Sequence, residues 1–270
     1  MNELVDIIGA RHDLLVITGA GCSAPSGIPT YRDENASWQR SNPIQHRDFI
    51  TDEASRRRYW ARSFAGWPPV RDAHPNEAHR CLADLERRGI AARLVTQNVD
   101  RLHQKAGHEH VNDLHGRLDE VVCLSCGALS DREAMQQRLA EANPGLAPEA
   151  LEITPDGDAE VSQRAIDEII VPACTGCGGV LKPHVVFFGG SVDRALVDDI
   201  NDAVAASGAV LVVGSTLMVF SSFRFVRLAP SLGKPVIIIN RGKTRADDLA
   251  TLKIDSDCQS VLSRLTAALD

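Results

Sequence analysis

The segment from Leu14 to Asp33 places a glycine-rich turn directly after a short apolar run. The run, Leu14 to Thr18, has the length and composition of a buried strand. In the turn, Gly19, Gly21 and Ala24 satisfy the pattern G-x-G-x-x-[G/A], in which the glycines allow a tight turn and close approach of the backbone to a pyrophosphate. The segment therefore predicts a dinucleotide-binding loop between a strand and a helix.

The sequence after this loop departs from an ordinary dinucleotide-binding fold. That fold continues through a helix to a second strand, which ends in an acidic residue about 20 residues later. Here the segment Gly27-Ile28-Pro29-Thr30-Tyr31-Arg32 intervenes, and the next strand-like run is Ala91 to Thr96. A dehydrogenase that transfers hydride reversibly is therefore disfavoured.

Short apolar runs recur along the chain, with helix-like segments between several of them. A short amphipathic helix is predicted near Asn2 to Ala10, and longer helices are predicted for Asn76 to Gly89 and for Val192 to Ser207. The alternation is typical of an α/β fold with a parallel sheet that is buried on both faces. The predicted strands are Leu14 to Thr18, Ala91 to Thr96, Ala209 to Val213 and Val236 to Asn240.

Two regions interrupt this alternation and predict a smaller, discontinuous domain. Residues 34–74 are rich in Arg, Trp and Pro and are expected to form a helical insertion. Residues 119–182 carry two cysteine pairs and a loop from Asn143 to Asp158. A Rossmann-like domain would then comprise residues 1–33, 75–118 and 183–270.

Four of the seven cysteines form two C-x-x-C pairs, Cys123 with Cys126 and Cys174 with Cys177. Two matched pairs are typical of a tetrahedral zinc site with four thiolates. A redox motif would have a single pair at a helix start, and an odd number of cysteines does not fit a secreted disulfide framework. Because four thiolates fill the coordination sphere, we expect one structural zinc ion that holds the small domain against the sheet.

Charge and hydropathy exclude several classes of partner. The 270 residues include 29 basic and 36 acidic side chains, and the net charge of -7 argues against direct binding to nucleic acid or to an anionic membrane. No apolar stretch approaches the ~18 residues that span a bilayer. Met1 leads almost directly into the first predicted elements, which leaves no room for a leader peptide, so we expect a cytoplasmic protein.

Polar side chains follow the second predicted strand. Gln97, Asn98 and Asp100 lie at the carboxyl end of a parallel strand, where open α/β folds bind their ligands. In an alternative interpretation, Asn98 and Asp100 only cap the next helix. His115 follows beside a glycine and could be only a loop residue. Two later strand ends, Gly214-Ser215-Thr216 and Asn240-Arg241-Gly242, offer backbone donors and hydroxyls to phosphate or ribose. In an alternative interpretation, both segments are only turns between elements.

Five motifs follow one another along the chain: G-A-G-x-S-x-x-x-G-I-P-x-[Y/F]-R from Gly19, T-Q-N-x-D-x-L-H from Thr96, H-G at His115, the two cysteine pairs, and K-P-x-V-V-F-F-G from Lys182. In this order they resemble the motifs of sirtuins, the NAD-dependent protein deacylases, and the resemblance covers nearly the whole chain. Four shorter segments resemble the class II branch of that family: Pro43 to His46, Arg58 to Arg62, Gly66 to Pro68 and Leu146 to Pro148.

The resemblance implies an enzyme that transfers the acyl group of an acylated lysine to ADP-ribose. NAD is consumed, and nicotinamide and O-acyl-ADP-ribose are released. In the family's mechanism, the acyl oxygen attacks C1′ of the nicotinamide ribose, and a general base then activates a ribose hydroxyl. His115 matches that base, and an unperturbed imidazole pKa near 6.5 leaves it neutral at physiological pH.

The same resemblance assigns roles to further residues. Gln97 and Asn98 match residues that orient the nicotinamide ribose and its water, and Asp100 with Ile28 matches the carboxamide pocket. The implied catalytic residues are Gln97, Asn98, Asp100 and His115. Arg32 matches an arginine of a mobile loop near the phosphates. His103 is interpreted as structural, and Arg241 replaces an acidic residue of many relatives. The implied NAD-binding residues are Gly19, Ala20, Gly21, Cys22, Ser23, Ile28, Pro29, Tyr31, Arg32, Gln97, Asn98, Val99, Asp100, His115, Gly214, Ser215, Thr216, Asn240, Arg241, Gly242 and Cys258.

The substrate implied by the resemblance is an acyl-lysine protein or peptide. Its backbone would pair as an added strand with Val185-Val186-Phe187-Phe188-Gly189, although Val186 and Phe188 could instead belong to the core. Class III relatives bind negatively charged acyl chains with a tyrosine and arginine pair, which is not apparent in residues 34–71, so succinyl specificity is not expected. The sequence leaves acetyl, longer fatty acyl, lipoyl and branched acyl groups open as substrates. It also leaves the oligomeric state open and is compatible with a monomer.

Two other functions share parts of this pattern. A protein mono-ADP-ribosyltransferase would also expel nicotinamide but would use another acceptor. A noncatalytic sensor of NAD or ADP-ribose would use the same loops, with the zinc module binding a partner. The product formed from NAD distinguishes both of these functions from the deacylase.

Overall fold

The computed structural model of the protein describes residues 1–10, 13–39, 43–146, 149–155 and 157–269. Two residues of the Leu146 to Pro148 segment, at positions 147 and 148, therefore lie outside the described residues. Within these ranges the strands are β1 (Leu14–Thr18), β2 (Ala91–Thr96), β3 (Val111–Asp113), β4 (Gly116–Cys123), β5 (Leu129–Asp131), β6 (Glu152–Thr154), β7 (Asp158–Glu160), β8 (Leu181–Val185), β9 (Val210–Val213), β10 (Val236–Ile239) and β11 (Leu252–Ile254).

The helices alternate with the strands of the larger sheet and cluster in the two predicted insertions. They are α1 (Asn2–Gly9), α2 (Ala20–Ser23), α3 (His46–Thr51), α4 (Glu53–Asp72), α5 (Glu77–Arg87), α6 (Leu102–Lys105), α7 (Arg132–Ala142), α8 (Gln163–Glu168), α9 (Arg194–Ala206), α10 (Phe220–Ser231) and α11 (Cys258–Ala268), with 3-10 turns at Ala24–Ser26 and Asp247–Leu249. None of the helices in the described ranges is long and apolar enough to cross a membrane.

Six parallel strands form the larger sheet in the order β11-β10-β9-β1-β2-β3. This confirms the prediction of a Rossmann-like parallel sheet, and β1 and β2 have the predicted bounds. Strand β9 begins one residue later than predicted and β10 ends one residue earlier. Because β1 pairs with β2 on one side and β9 on the other, the glycine-rich turn leaves the middle of the sheet.

Helices cover both faces of this sheet. Alternate residues of β1 point in opposite directions, so Leu14 and Val16 pack in one core with α1, α5 and α11. Leu15 and Ile17 pack in a second core with α9 and α10. Burial on both faces explains why the central strands are continuous apolar runs.

The smaller domain is built on a three-stranded antiparallel sheet with the order β5-β4-β8. Helix α4 packs against it; the Trp60 side chain is buried and its indole nitrogen donates to the Leu181 carbonyl oxygen at 3.2 Å. Helix α4 begins at a side-chain cap, since the Asp52 carboxylate accepts from the backbone nitrogens of Ala54 and Ser55.

Part of the predicted loop from Asn143 to Asp158 is instead a β-hairpin, formed by β6 and β7. The hairpin packs on α4 where Gly66 leaves room: a Cβ at Gly66 would lie 2.5 Å from the Gly157 carbonyl oxygen. The predicted domain boundaries at 118/119 and 182/183 fall inside β4 and β8, which pair with each other. The division into domains remains a prediction.

Candidate active site

A cavity of 1290 Å³ lies between the carboxyl edge of the parallel sheet and the smaller domain. Most of the residues expected to bind NAD line it: Gly19, Ala20, Gly21, Tyr31, Arg32, Gln97, Asn98, Val99, His115, Gly214, Ser215, Thr216, Asn240, Arg241 and Cys258. The five substrate-segment residues, Val185 to Gly189, line it as well. The remaining six expected residues do not form its wall: Cys22, Ser23, Ile28, Pro29, Asp100 and Gly242.

The glycines of the first loop are required by the loop that follows β9. A Cβ at Gly19 would lie 2.8 Å from the Ser215 Cβ, and a Cβ at Gly21 would lie 2.8 Å from the Gly214 carbonyl oxygen. Gly214 has a φ of +60°, and a Cβ there would collide with the backbone nitrogen of Cys22. The two loops therefore interlock through their backbones, which brings both to the same end of the cavity.

A buried polar layer lies directly beneath the glycine-rich loop. The Ser23 hydroxyl donates to the Asp100 carboxylate at 2.7 Å, and the Asn98 amide donates to the Gly19 carbonyl oxygen at 3.1 Å and to Ser23 at 3.0 Å. Burial raises the pKa of Asp100. Asp100 also accepts from the Leu102 backbone nitrogen at 2.9 Å, so it holds the first residue of α6 in addition to supporting the loop.

The Gln97 side chain is held on three sides. Its amide nitrogen donates to the Ser215 hydroxyl at 2.7 Å and to the Thr18 carbonyl oxygen at 3.1 Å. Its carbonyl oxygen accepts from the Ser222 hydroxyl at 2.8 Å. These bonds fix the orientation of the amide between the ends of three structural elements, β1, β9 and α10.

His115 lies at the meeting point of the two domains. Its Nδ1 is 3.1 Å from the Gln97 carbonyl oxygen and its Nε2 is 2.7 Å from the Ser221 hydroxyl. Because a carbonyl oxygen can only accept, Nδ1 of the neutral ring carries the proton, and the Nε2 electron pair accepts from the Ser221 hydroxyl. Burial lowers the pKa of His115, which favours the neutral form.

His103 has the structural place expected of it. Its Nε2 lies 2.9 Å from the Thr18 hydroxyl, which itself donates to Thr96 at 2.9 Å. The ring is fully buried, and burial lowers its pKa well below the usual value. His103 therefore supports the ends of β1 and β2 and does not line the cavity.

The segment after the glycine-rich loop packs over the cavity through aromatic contacts. The Arg32 guanidinium stacks on the Trp38 ring at 4.1 Å and donates to the Ala36 carbonyl oxygen at 2.6 Å. Tyr31 and Trp38 each contact the Phe188 ring at 5.8 Å. This contact joins the loop to the substrate segment.

The far end of the same loop contacts the turn after β10. A Cβ at Gly242 would collide with the Glu34 carbonyl oxygen, so the glycine is needed for this approach although it does not line the cavity. The Arg241 guanidinium lies 3.6 Å from the Glu34 carboxylate. The turn and the loop thus form an exposed ion pair.

The substrate segment continues from β8 along the edge of the cavity. The Val186 backbone nitrogen donates to the His115 carbonyl oxygen at 2.7 Å, and the Phe188 carbonyl oxygen accepts from the His46 backbone nitrogen at 2.8 Å. Phe187 is buried against Phe49 and Tyr59, at ring distances of 5.2 Å. Phe187 is therefore a core residue, whereas Val186 and Phe188 are only partly buried.

The four paired cysteines converge at the end of the smaller domain. Their sulfur atoms lie within 4.8 Å of one another, with Cys123 3.5 Å from Cys177 and Cys126 3.9 Å from Cys174. A tetrahedral zinc with bonds of ~2.3 Å requires sulfur separations of about 3.8 Å. The donor set therefore fits zinc.

Several lining residues were missed by sequence reasoning. Tyr59 and Arg62 lie one turn apart on α4 and both line the cavity, so a tyrosine and arginine pair is present in residues 34–71 after all. Arg62 is paired with Asp158 at 2.8 Å and with Glu160 at 2.8 Å. Ser221, which lines the cavity and contacts His115, was also missed, as was Ser222, which contacts Gln97 without lining the cavity. Only the segment Arg58 to Arg62, already noted for its class II resemblance, could have pointed to the α4 pair.

Comparisons with known proteins agree with this geometry. The model of the Sir2 family matches residues 19–221. The chain is 49% identical to NAD-dependent protein deacetylase 2 of Bradyrhizobium diazoefficiens over 265 residues, covering 98% of this chain and 97% of that protein. It is 50% identical to the NAD-dependent protein deacetylase of Xanthomonas axonopodis pv. citri over 266 residues, covering 98% and 91%.

Solved structures share the whole fold. A Sir2 protein with a p53 peptide and NAD+ superposes with a TM-score of 0.81 at 28% identity, covering 99% of this chain and 98% of that one. Sir2Tm bound to a propionylated peptide gives a TM-score of 0.78 at 28% identity, with the same coverage. The matched family model, the full-length relatives and the shared fold lead to one conclusion: the chain belongs to the Sir2 family, the sirtuins.

Proposed function

We propose that this chain is an NAD-dependent protein lysine deacetylase that transfers the acyl group to ADP-ribose and releases nicotinamide. One observation carries the proposal: His115 joins the two halves of the cavity. Its ring is oriented by Gln97, beside the glycine-rich loop, and its own carbonyl oxygen accepts from Val186 of the substrate segment. A base in this position can reach groups bound on both sides.

In this proposal, separate groups of residues bind NAD, position its ribose and accept the proton. The backbone of Gly19 to Gly21, at the start of α2, faces the cavity and suits the pyrophosphate of NAD. Gln97 and Asn98 position the nicotinamide ribose, and Asp100 supports them from below. The neutral Nε2 of His115 accepts the proton of a ribose hydroxyl when that hydroxyl attacks. NAD would supply both the activated ribose carbon that the acyl oxygen attacks and the ribose hydroxyl that finally carries the acyl group.

We propose that Cys123, Cys126, Cys174 and Cys177 bind one structural zinc ion. The support is the convergence of their sulfur atoms, described above. Since all four positions around the metal would be filled by thiolates, the ion has no part in catalysis. It ties the ends of β4 and β8 to the segments that carry the cysteines.

We further propose that the acyl group is neutral. Tyr59, Arg62 and Asp158 line the cavity, and the Tyr59 ring lies 5.2 Å from the ring of Phe187 in the substrate segment. The Arg62 guanidinium is engaged by two carboxylates, those of Asp158 and Glu160, so its charge is already neutralised. A negatively charged acyl chain would have to displace a carboxylate to bind there.

The substrates in this proposal are acyl-lysine proteins, and the compartment is the cytoplasm. The seven cysteines all lie in the described part of the chain and none of them is in a disulfide, which suits a reducing compartment. Neither nucleic acid nor a membrane is assigned as a partner, in keeping with the net charge of -7.

Nicotinamide release tests the proposed function. Purified protein is incubated with NAD and with peptides that differ only in the acyl group on one lysine. Release that depends on an acetylated peptide supports the proposal. NAD that stays intact with every peptide would indicate a sensor, and ADP-ribose attached to protein without deacetylation would indicate a transferase.

A further inference from the structure

Three arginines surround one exposed aromatic ring at the start of α10. Phe220 is 44% exposed and lines the cavity. The guanidinium carbons of Arg224 and Arg227 each lie 5.3 Å from the centre of its ring, and that of Arg245 lies 5.7 Å from it. Arg224 also lines the cavity. We name this group, Arg224, Arg227 and Arg245 around Phe220, the arginine rim.

The charges of the arginine rim are not neutralised by the protein. Among the described residues, none of its three guanidinium groups forms an ion pair with a carboxylate. Arg245 donates to the Met218 carbonyl oxygen at 3.2 Å, and Asp247, two residues further on, is engaged by Lys253 at 2.7 Å. Although the net charge of the chain is -7, this surface is locally positive and suits an anionic partner.

The arginine rim lies next to a residue that contacts the proposed base. Phe220 directly precedes Ser221, whose hydroxyl lies 2.7 Å from Nε2 of His115. The carbonyl oxygen of His115 accepts from the Val186 backbone nitrogen in the substrate segment. Val192, shortly after that segment, lines the cavity and packs on the core that contains α10. His115 therefore contacts both the substrate segment and the residue next to Phe220.

We propose that the arginine rim binds acidic side chains that flank the acylated lysine, so that the preferred substrates are proteins with Asp or Glu beside that lysine. The inference rests on the proposed function, which places the acyl-lysine at His115. A peptide that pairs with Val185 to Gly189 then has flanking carboxylates within reach of the guanidinium groups, whose planar shape matches a carboxylate. Stacking on Phe220 holds these groups in place before the peptide binds, which lowers the cost of ordering them.

This selection of charge is separate from the selection of the acyl group. The Arg62 guanidinium is engaged by Asp158 and Glu160, each at 2.8 Å. No carboxylate of the described ranges pairs with the arginine rim in the same way. The site therefore disfavours a negatively charged acyl chain and favours negatively charged residues beside the lysine.

Peptide binding tests the inference without turnover. Three fluorescent acetyl-lysine peptides carry Glu, Gln or Lys at the two positions on each side of the lysine, and their binding is measured by anisotropy without NAD. We expect the Glu peptide to bind about fivefold more tightly than the Gln peptide at low salt, with a smaller difference at high salt. Equal affinities at low salt would overturn the proposal. Tighter binding of a single-stranded oligonucleotide than of the Glu peptide would assign the arginine rim to nucleic acid and would also overturn it.

Charge reversal at one arginine locates the effect. Arg227→Glu should abolish the preference for the Glu peptide and favour the Lys peptide. Arg264→Glu is the matched control and should keep the original order of affinities, because Arg264 is exposed on α11, on the opposite face of the parallel sheet from α10. Thermal unfolding confirms that both variants are folded. A preference in Arg227→Glu equal to that of the unaltered protein would contradict the proposal.

Turnover separates this inference from the proposed function. With NAD present, the KM for the Glu peptide should lie about fivefold below that for the Gln peptide with a similar kcat, as expected for binding energy that does not change between substrate and transition state. Deacetylation of all three peptides with equal KM would refute the arginine rim and leave the proposed function standing. Selective binding of the Glu peptide without deacetylation would refute the function and leave the arginine rim standing. A raised KM for NAD in Arg227→Glu, with the peptide preference unchanged, would assign the arginine rim to NAD and overturn the proposal.

Discussion

The imidazole of His115 is oriented by the backbone of Gln97, whose carbonyl oxygen lies 3.1 Å from Nδ1. This bond assigns the proton to Nδ1 and leaves Nε2 as the base. The Gln97 side chain is held in turn by Ser215 and Ser222. One residue thus links the end of β2 to the orientation of the base and to the loop after β9.

The pH dependence of the reaction follows from the burial of His115. Burial lowers its pKa below the usual 6.5. The base must be neutral, so it stays competent as the pH falls through 6.5 and is lost only below the shifted pKa. We expect the acid limb of kcat/KM for NAD to have its midpoint below 6.5, since kcat/KM reports the free enzyme. A midpoint above 6.5, the usual imidazole pKa, would contradict the burial of His115.

The interlocked loops predict an unequal response to two glycine substitutions. Gly214 and Gly233 both have positive φ, +60° and +69°, but only Gly214 has backbone where a Cβ would be added. Gly233→Ala should cost about 1–2 kcal/mol from the backbone conformation alone. Gly214→Ala should cost about 1–3 kcal/mol more, because the loop of Cys22 must move, and should weaken NAD binding. Thermal unfolding and NAD titration of both variants measure this; equal losses would show that the loops are not in contact.

Removal of zinc should loosen one end of the smaller domain. Five backbone hydrogen bonds lie in the cysteine segments: Cys123 N–H to Ala128, Leu124 N–H to Val180, Gly127 N–H to Cys123, Cys174 N–H to Gly179, and Gly178 N–H to Cys174. After chelation, we expect these amides to exchange hydrogen rapidly while those of β1 and β9 stay protected. Zinc analysis should give one ion per chain before chelation. Unchanged exchange, activity and melting after complete removal of metal would refute the structural role.

The charge balance around Arg62 predicts a change of acyl preference. Asp158→Asn removes the more buried of the two carboxylates that pair with Arg62. The Asp158 side chain is 30% exposed, and the Glu160 side chain is 42% exposed. With Glu160 as its one remaining carboxylate partner, the guanidinium should raise the ratio of succinyl to acetyl turnover by about tenfold, equivalent to ~1.4 kcal/mol. Glu160→Gln is the matched control and should shift the ratio less. Turnover of both peptides is measured side by side, and an unchanged ratio in Asp158→Asn would remove Arg62 from acyl selection.

The central sheet could be predicted because its strands are apolar on both faces. Leu14 to Thr18 and Ala91 to Thr96 stand out as continuous runs and occur as predicted. Strands β3 and β11 have only three residues and lie at the edges of the sheet, so no run marks them. The β6 and β7 hairpin is equally short and forms because it packs on α4, which no local pattern records.

The candidate site could be predicted where one segment supplies a motif. Gly19, Gln97, His115 and the substrate segment all line the cavity as expected. Tyr59, Arg62 and Ser221 lie on helices, and only tertiary packing turns them toward the cavity. Asp100 and Cys22 belong to the expected motifs but lie behind the wall. The order of the motifs therefore identified the segments of the site. Which of their side chains line the cavity and which lie behind it depends on tertiary packing, which the sequence does not record.

The identity and amount of the product formed from NAD decide whether this chain is a deacetylase. An acetylated peptide and NAD are incubated with the protein, and mass spectrometry quantifies nicotinamide, deacetylated peptide and O-acetyl-ADP-ribose. The account predicts equal amounts of all three, and a loss of about 10²–10⁴-fold in rate for His115→Ala, which should still bind NAD. His110→Ala, at an exposed histidine paired with Glu86, serves as the control. Nicotinamide without O-acetyl-ADP-ribose, or a near-normal rate in His115→Ala, would contradict the account.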